Sequence, residues 1–248
     1  MIKVIDLYKS FNGRKVLQGI NLEVEKGQIL ALIGGSGTGK SVLLKLVIGL
    51  IKPDEGKILL DNQDISRLRG KSLKQLKERF GVVFQGGALF DSLTVFENVA
   101  FPLEEKTKMK ASQIRNAVFH ELARVGLTGE ENKYPAQISG GMRKRVALAR
   151  CLVMHPEIVL FDEPTTGLDP LIGKAVHNLI RTCQKNLNFT AIIVTHEVPE
   201  IFSMVDRVAM LYDGKILAAG TPEEIKGSKD PVIHQFIHAE LEGPIVIK

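Results

Sequence analysis

The sequence predicts an α/β protein with a mainly parallel sheet and helices on both faces. Buried-type strands such as QILALIG, EIVLFD and TAIIVT alternate with segments of helical periodicity. The chain also turns helical from about Thr94 to Met154, between two strand-rich regions, which predicts an inserted helical subdomain. The two observations together predict an α/β sheet interrupted by one helical subdomain.

The elements can be placed in order along the chain. IKVIDL, GINLEV and QILALIG are predicted strands, and a helix follows from Ser41 to Ile48. IKPDEGKILLDNQDI then predicts a turn, a strand and a turn. SLKQLKERF is predicted as an amphipathic helix that leads into the strand GVVF. After the helical block, EIVLFD and TAIIVT flank a helix that starts near Pro170, and RVAMLY and KILAAG form a hairpin around Asp213-Gly214.

Composition sets limits on function. The 248 residues are 44% hydrophobic and 25% charged, which is typical of a globular protein with a real core. The formal charge of +5 suits a nucleotide, a nucleic acid or an anionic membrane surface, and equally a solvated basic surface. No apolar run approaches the roughly 20 residues needed to cross a bilayer, and no signal peptide is visible. Cys151 and Cys183 form no metal or disulfide pattern, which favours reduced thiols in a cytosolic protein.

A phosphate-binding loop is the strongest single motif. GGSGTGKS, residues 34–41, matches G-x-x-x-x-G-K-[ST] and lies after a predicted strand and before a predicted helix. Its glycines let main-chain N–H groups point at phosphate, and the helix N-terminus adds partial positive charge. Lys40 can reach the β- and γ-phosphates, and the Ser41 hydroxyl can ligate Mg²⁺.

Acidic and polar residues follow three of the other predicted strands. Asp162 and Glu163 end EIVLFDE, at the carboxyl end of a strand where α/β sheets bind ligands, so Asp162 can hold the ion's shell and Glu163 can polarise water. His196 after TAIIVT could contact the γ-phosphate or the attacking water, or cap the next helix. Gln85 after GVVF could reach Mg²⁺ and water, or be an ordinary polar strand end. Phe11 could stack on adenine or belong to the core.

A second glycine-rich helix start, ISGGMRKR, carries no lysine of the phosphate-loop type. Ser139 and Gly141 can offer hydroxyl and N–H groups to phosphate oxygens, but no strand precedes them. So incomplete a donor set makes sense if it closes over an ATP held by another copy. The alternative is an ordinary N-cap, with RKR at 143–145 as a basic solvated face.

Together these motifs resemble the ATP-binding-cassette ATPase subunits of membrane transporters, over about residues 2–225 and in that family's order. The resemblance implies a phosphate-loop NTPase cassette over 2–240, with an N-terminal antiparallel β subdomain, a helical subdomain inserted at about 90–156, and a C-terminal tail at 229–248 that could contact a second copy or a partner. ISGGM, residues 138–142, resembles that family's signature. Met142 departs from the glutamine usual there, while Ser139, Gly140 and Gly141 are intact. The implied cofactors are ATP and Mg²⁺. The implied catalytic residues are Glu163, His196 and Lys40; ATP would be bound by Phe11, Gly34, Gly35, Ser36, Gly37, Thr38, Gly39, Lys40, Ser41, Val42, Gln85, Ser139, Gly140, Gly141 and Asp169; Mg²⁺ would be held by Ser41, Gln85 and Asp162, partly through water.

A finer resemblance points to phospholipid transporters of the maintenance-of-lipid-asymmetry type and to related mammalian-cell-entry-associated systems. It rests on QGGALFDSLTVFENV, on SGGMRKR and on the tail DPVIHQFIHAELEGPIVIK. It implies a homodimer, peripheral on the cytoplasmic face of the inner membrane, in which Gly86–Leu103 receives a helix of a separate permease. The alternative for this segment is a loop packed inside the subunit. It leaves open a small cytosolic regulatory subunit and a substrate-binding subunit, and it implies no nucleic-acid partner. The tail, with an apolar face at Val232, Ile233, Phe236 and Ile237 and an extended apolar end at Ile245 to Ile247, would contact a partner or fold back on its own cassette.

Three other classes of function also use a phosphate loop or a cassette. A small-molecule or nucleotide kinase also uses a phosphate loop, but it has no use for a signature helix. A DNA-repair or translation cassette would carry a long coiled coil or a second cassette, and neither is present. A cassette that binds ATP without turnover is disfavoured by the intact Lys40, Asp162, Glu163 and His196. Within the transporter family, an amino acid, an organic solvent or a drug stays open as the substrate.

Overall fold

The computed structural model describes residues 1–246, and these form two compact units. The first contains Met1–Glu78 and the segment that begins at Thr190, and the second contains Arg79–Phe189. The predicted α/β class, with an antiparallel N-terminal sheet and a parallel-rich core, is confirmed. The elements in chain order are β1 (Ile2–Phe11), β2 (Arg14–Val24), β3 (Ile29–Ile33), α1 (Lys40–Val47), β4 (Glu55–Leu60), β5 (Gln63–Asp64) and α2 (Gly70–Glu78); then β6 (Phe80–Val83), α3 (Val95–Lys106), α4 (Ala111–Arg124), α5 (Gly140–Leu152), β7 (Ile158–Asp162) and α6 (Pro170–Leu187); then β8 (Thr190–Thr195), β9 (Arg207–Tyr212), β10 (Lys215–Gly220), α7 (Pro222–Lys226) and α8 (Pro231–His238).

The antiparallel sheet of the first unit has the strand order β2-β1-β4-β5. β1 and β2 are longer than the runs IKVIDL and GINLEV, because pairing continues up to Phe11 opposite Arg14. The turn between them, Asn12-Gly13, has φ of 48° and 78°, which closes a two-residue hairpin that matches the twist of the strands. The hairpin therefore carries Phe11 to the tip of the sheet.

The second sheet of this unit is built on β3, which lies between β8 and β9 and runs parallel to both. Every residue of β3 and β8 is buried, as expected for strands covered on both faces. β10 pairs antiparallel with β9 through the predicted Asp213-Gly214 turn. The register places Ile33 of β3 opposite Thr195 of β8, so the two strands end at the same edge.

In the second unit, β6 and β7 form a parallel pair, and α3 to α6 supply the helices. α3 begins at a capping box in which the Thr94 side chain and Glu97 satisfy each other's main-chain N–H groups. α3 packs against α4 and α5, and α5 also packs against α6 and β6. The helical periodicity of residues 94–154 is confirmed by α3, α4 and α5.

The last described residues fold back on α8. Gln235, which is buried, accepts from the main-chain N–H of Ile245 at 2.7 Å and donates to its carbonyl oxygen at 3.1 Å. Ile247, part of the predicted apolar end, lies outside the described residues. Across residues 1–246 no helix combines the length and the apolar character required to cross a membrane.

Candidate functional site

The phosphate loop joins β3 to α1 and is folded around its lysine. Lys40, the first residue of α1, is only 5% exposed. Its ammonium group donates to the carbonyl oxygens of Gly34 at 2.8 Å and Gly35 at 2.7 Å, and the Thr38 hydroxyl donates to the same Gly35 carbonyl at 2.9 Å. The strand, loop and helix that the motif requires are therefore present, and the charge of Lys40 is held inside the loop.

Two glycines of this loop have conformations that a side chain would not tolerate. Gly34 has φ of 149°, and a Cβ there would overlap the carbonyl oxygen of Leu211. Gly39 has φ of 106°, and a Cβ there would lie 2.9 Å from Leu17 Cδ2. Because both residues lack a side chain, the main chain can curl tightly at the start of α1, and no acidic side chain in the first turn offsets the positive end of the helix dipole.

His196 and Phe11 lie in the same unit as the loop. His196 directly follows β8, whose last residue pairs with the last residue of β3, so the phosphate loop and His196 leave the same sheet edge. The next helical turn starts at Glu200 with Pro199 as its N-cap, so capping does not account for His196. Phe11 ends β1 and is 44% exposed, so it does not belong to the core and its ring is open to a ligand.

In the second unit, Asp162 is the last residue of β7, and Gln85 lies two residues beyond the end of β6. These strands are parallel, with Val83 opposite Phe161, so Asp162 and Gln85 also leave a common edge. Gln85 is exposed. An acid and an amide at one strand edge are suited to bind a hydrated divalent cation.

Glu163 has a left-handed main-chain conformation, with φ of 51°, directly after β7. The Thr166 hydroxyl donates to Glu163 Oε2 at 2.8 Å and so orients the carboxylate. Behind it, the buried Thr165 hydroxyl and His177 Nε2 lie 3.1 Å apart, which attaches this turn to α6. Sequence reasoning missed Thr166 and His177; the hydroxyl three residues after the carboxylate was the available signal.

The signature segment starts α5 as predicted. Ser139 is the N-cap, exposed, and its hydroxyl accepts from the main-chain N–H of Met142 at 3.2 Å. The capping interaction uses a lone pair of the oxygen and leaves the hydroxyl proton to donate. Gly141 is buried, and a Cβ there would lie 2.6 Å from Ile172 Cγ2. Ser139 is thus an N-cap whose hydroxyl can still donate a hydrogen bond to a ligand at the helix N-terminus.

The basic residues after the signature are not simply a solvated face. Arg143 Nη1 donates to the carbonyl oxygen of Ile138 at 3.0 Å, just before the signature serine. Lys144 Nζ donates to the carbonyl oxygen of Gln85. Six residues further along α5, Arg150 Nη2 donates to the carbonyl oxygen of Gly87 at 2.7 Å. Side chains of α5 therefore hold both the turn before Ser139 and the segment that follows β6.

Asn98 organises the loop between β6 and α3, and sequence reasoning missed it. It is 0% exposed, accepts from the main-chain N–H of Phe90 at 2.9 Å, and donates to the carbonyl oxygens of Phe90 and Leu93 at 3.0 and 3.1 Å. The Phe90 ring packs on Phe101 at 4.8 Å between centroids, and Arg150 lies over it at 5.8 Å. Both rings stay partly exposed, so the segment presents an ordered aromatic surface.

Asp169 is the N-cap of α6, where its Oδ1 accepts from the N–H groups of Leu171 and Ile172, each at 3.1 Å. Within residues 1–246 no three His, Cys, Asp or Glu side chains are grouped as a metal site would require. The oxygen donors of Ser41, Gln85 and Asp162 fit Mg²⁺ that is carried by a nucleotide. That ion keeps phosphate oxygens and waters as ligands and needs few ligands from the protein.

The phosphate loop after a parallel strand, the paired strand ends and the glycine-rich start of α5 define an ATP-binding cassette. A family model described as ABC transporter matches residues 17–166. The chain belongs to this family, and it is an ATP-hydrolysing, nucleotide-binding subunit.

Named relatives and a solved structure agree with this assignment. The chain is 41% identical to the intermembrane phospholipid transport system ATP-binding protein MlaF of Haemophilus influenzae, over 100% of this chain and 94% of the relative. It is 43% identical to the "Probable ribonucleotide transport ATP-binding protein mkl" of Mycobacterium leprae, over 98% of this chain and 70% of the relative. It is also similar to the dimeric, post-hydrolysis structure of the ATP-binding cassette MJ0796 bound to ADP and Pi, with a TM-score of 0.80, 30% identity, and coverage of 90% of this chain and 99% of that one.

Proposed function

We propose that two copies of this chain form the ATPase of a phospholipid transporter, peripheral on the cytoplasmic face of the inner membrane. The observation that carries the dimer is the start of α5, where Ser139 offers an exposed hydroxyl at a helix N-terminus that lacks a lysine of the phosphate-loop type. An isolated set of neutral donors binds phosphate weakly. Closing it over an ATP already held by a second copy's phosphate loop completes the site. MJ0796, a similar cassette, has been solved as a dimer with ADP and Pi.

The proposed roles follow from the chemistry of each group. Lys40 balances charge on the β- and γ-phosphates, Phe11 stacks on the adenine, and His196 positions the γ-phosphate. Glu163, oriented by Thr166, accepts a proton from the attacking water. Mg²⁺ would be held by the Ser41 hydroxyl, Asp162 and Gln85, and when bound it neutralises charge on the phosphate oxygens.

We propose that Gln85 and the segment Gly86–Leu103 transmit the closing and opening of the dimer to the permease. The hydrogen bonds from Arg150 to the Gly87 carbonyl oxygen and from Lys144 to the Gln85 carbonyl oxygen support this, because they make α5 and the segment after β6 move together. The exposed rings of Phe90 and Phe101 offer apolar anchors for a helix of the permease. ATP would drive closure because it binds more tightly to the closed dimer than to the open one.

Phospholipid is the substrate we favour because the MlaF relative matches the whole chain, and ribonucleotide is the second candidate because of the mkl relative. Purifying the chain with its membrane partners in mild detergent separates the two. Mass spectrometry of the complex should find phospholipid retained by a permease subunit. Recovery of a nucleotide in the permease, with no lipid above the level of a detergent blank, would instead support the second candidate.

For the tail, residues 229–248, we propose an attachment to its own cassette; the burial of Ile233 and Ile237 and the packing of α8 against α7 support it. The alternative, a contact with a second copy or a small regulatory subunit, predicts that removing the tail weakens dimers or loses the partner.

The hydrolysis mechanism is tested by Glu163→Gln. We expect turnover to fall roughly 10²–10⁴-fold while ATP binding is retained, since the amide cannot accept the proton. Thr166→Val, which removes the hydrogen bond to the carboxylate, should give a smaller fall. Near-normal hydrolysis by Glu163→Gln would remove Glu163 from the role of base. Release of phosphate without any phosphorylated acceptor separates this enzyme from a kinase.

The shared site is tested by mixing two inactive variants. Ser139→Arg removes the donor at the start of α5, and Lys40→Ala removes the phosphate-loop charge. A mixed dimer still contains one site with neither change, so we expect partial ATPase activity to return on mixing. If no ratio of the two variants restores activity, the proposal that each site draws on both copies is wrong.

A further inference from the structure

The end of β1 places a cation under the ring of Phe11. Lys9 and Phe11 are two residues apart in the strand and lie on the same face. The Lys9 ammonium is 5.2 Å from the centroid of the Phe11 ring, and the lysine side chain is only 15% exposed while the ring is 44% exposed. A cation at this distance is attracted by the negative face of the ring, which limits how far the ring can turn.

Asp54 holds this lysine and the main chain beside it. Its Oδ1 accepts from Lys9 Nζ at 2.7 Å, its Oδ2 accepts from the main-chain N–H of Ser10 at 2.6 Å, and its own N–H donates to the Tyr8 carbonyl oxygen at 3.0 Å. The hydrogen bond from Lys9, followed by that from Ser10, lowers the pKa of the Asp54 carboxyl below its usual 3.8, so it stays ionised. Three consecutive residues of β1 are thereby fixed to one aspartate.

The aspartate connects this strand to the helix of the phosphate loop. Asp54 lies in the short segment between α1 and β4, and α1 begins at Lys40. That segment is held against the end of α1, because the N–H groups of Leu50 and Ile51 both donate to the Lys45 carbonyl oxygen, at 2.9 and 3.3 Å. Phe11 is therefore linked through Lys9 and Asp54 to the element that binds phosphate.

We propose that Lys9 and Asp54 are positioning residues for the base of the nucleotide: they hold the Phe11 ring at a fixed place relative to the phosphate loop. The inference rests on the proposed function, in which Phe11 stacks on adenine. A ring at the tip of a two-residue hairpin would otherwise have to be ordered when the nucleotide binds, and that ordering weakens affinity. With one face held by Lys9, the other face is ready for the base.

The experiment compares a ligand that has a base with one that lacks it. Binding of ADP and of inorganic pyrophosphate to the full-length chain is measured by calorimetry, and neither ligand requires hydrolysis. Lys9→Met should raise the Kd for ADP by roughly 3- to 10-fold, in line with the strength of partly exposed cation–π contacts and ion pairs, and leave the Kd for pyrophosphate unchanged. Asp54→Asn should act in the same direction, and Lys9→Arg should restore binding.

The matched control is Lys3→Met. Lys3 forms a comparable pair on the same strand, with its ammonium 3.1 Å from Glu23, but at the other end of β1. It should change neither Kd. Equal loss of ADP and pyrophosphate binding in Lys9→Met, or no loss of either, overturns the inference.

Phe11→Ala separates this inference from the function on which it rests. If Phe11→Ala weakens ADP binding while Lys9→Met and Asp54→Asn do not, stacking stands and the positioning role is wrong. If Phe11→Ala leaves ADP affinity unchanged, the proposed stacking and the positioning role both fail. Thermal unfolding of each variant checks folding, and Lys9→Met and Lys9→Arg suffice for the test if Asp54→Asn does not fold.

Discussion

Replacing Asn98 by alanine removes the side chain that closes the loop between β6 and α3. The amide is fully buried, accepts the N–H of Phe90, and donates to the carbonyl oxygens of Phe90 and Leu93. Alanine can satisfy none of these groups. Because the loop packs over α3 at this point, water does not replace the side chain without a local opening.

The magnitude follows from the number of main-chain groups left without a partner. The Phe90 carbonyl oxygen keeps the hydrogen bond from the Leu93 N–H at 3.1 Å, so two groups lose their partner, the Phe90 N–H and the Leu93 carbonyl oxygen. Each buried, unsatisfied donor or acceptor costs about 1–3 kcal/mol. The expected loss in the free energy of unfolding is therefore about 3 kcal/mol. For a chain of this size each kcal/mol lowers the Tm by about 2–4 °C, so Asn98→Ala should unfold roughly 6–12 °C earlier.

Circular dichroism during heating measures this shift, with Asn116→Ala as the control. Asn116 lies on α4 and is exposed, so its replacement should change stability by no more than about 0.5 kcal/mol. The reasoning is refuted if Asn98→Ala and Asn116→Ala unfold at the same temperature. A result between the two would mean that the loop opens to water more easily than its packing indicates.

Three further predictions concern the phosphate loop, the thiols and pH. Gly34→Ala should destabilise the chain by at least about 2 kcal/mol, because the new Cβ would overlap a carbonyl oxygen of β9. Gly37→Ala should cost only about 1 kcal/mol, because Gly37 has φ of 75° but no atom lies within 4 Å of the new Cβ. Chemical denaturation compares the two variants. Burial raises the pKa of Cys151 to about 12 and that of Cys183 to about 11, so a thiolate-specific reagent at pH 8 should label both only after denaturation, and rapid labelling of the native chain would contradict this. Hydrogen bonds from a lysine and a main-chain N–H lower the pKa of Asp54 below 3.8, so its contribution to stability is complete above that pH and is lost as the pH falls through the lower, folded value. The difference in stability between wild type and Asp54→Asn should accordingly be constant from about pH 5 to 7 and shrink in stronger acid.

Much of the fold and of the candidate site could be predicted because the signals are local. Glycines at fixed offsets after a buried strand and before a helix specify the phosphate loop over eight consecutive residues, 34–41. Asp162 and His196 each end a continuous apolar strand, and the parallel pairing of β3 with β8 and of β6 with β7 places strand ends at common edges. Ser139 is recognisable as an N-cap from its own helix.

What depended on the tertiary structure was the partner of each side chain. From the sequence, Arg143 and Lys144 could equally be a solvated basic face, and the packing of α5 decided that they hold main-chain carbonyl groups. The same holds for the way Ile245 folds back onto Gln235 within the tail. β1 and β2 also ran further than their apolar runs, because pairing across the hairpin, and not side-chain alternation, sets where strands end.

The physical reason is the range of the interactions. Periodicity and glycine spacing record which face of an element is buried and where the chain turns, and both are decided within about a dozen neighbouring residues. Lys9 meets Asp54 across 45 residues and Arg150 meets Gly87 across 63. Such pairs exist only once distant segments pack together, so the sequence by itself determined the elements and the motif residues, and the tertiary structure decided what holds them in position.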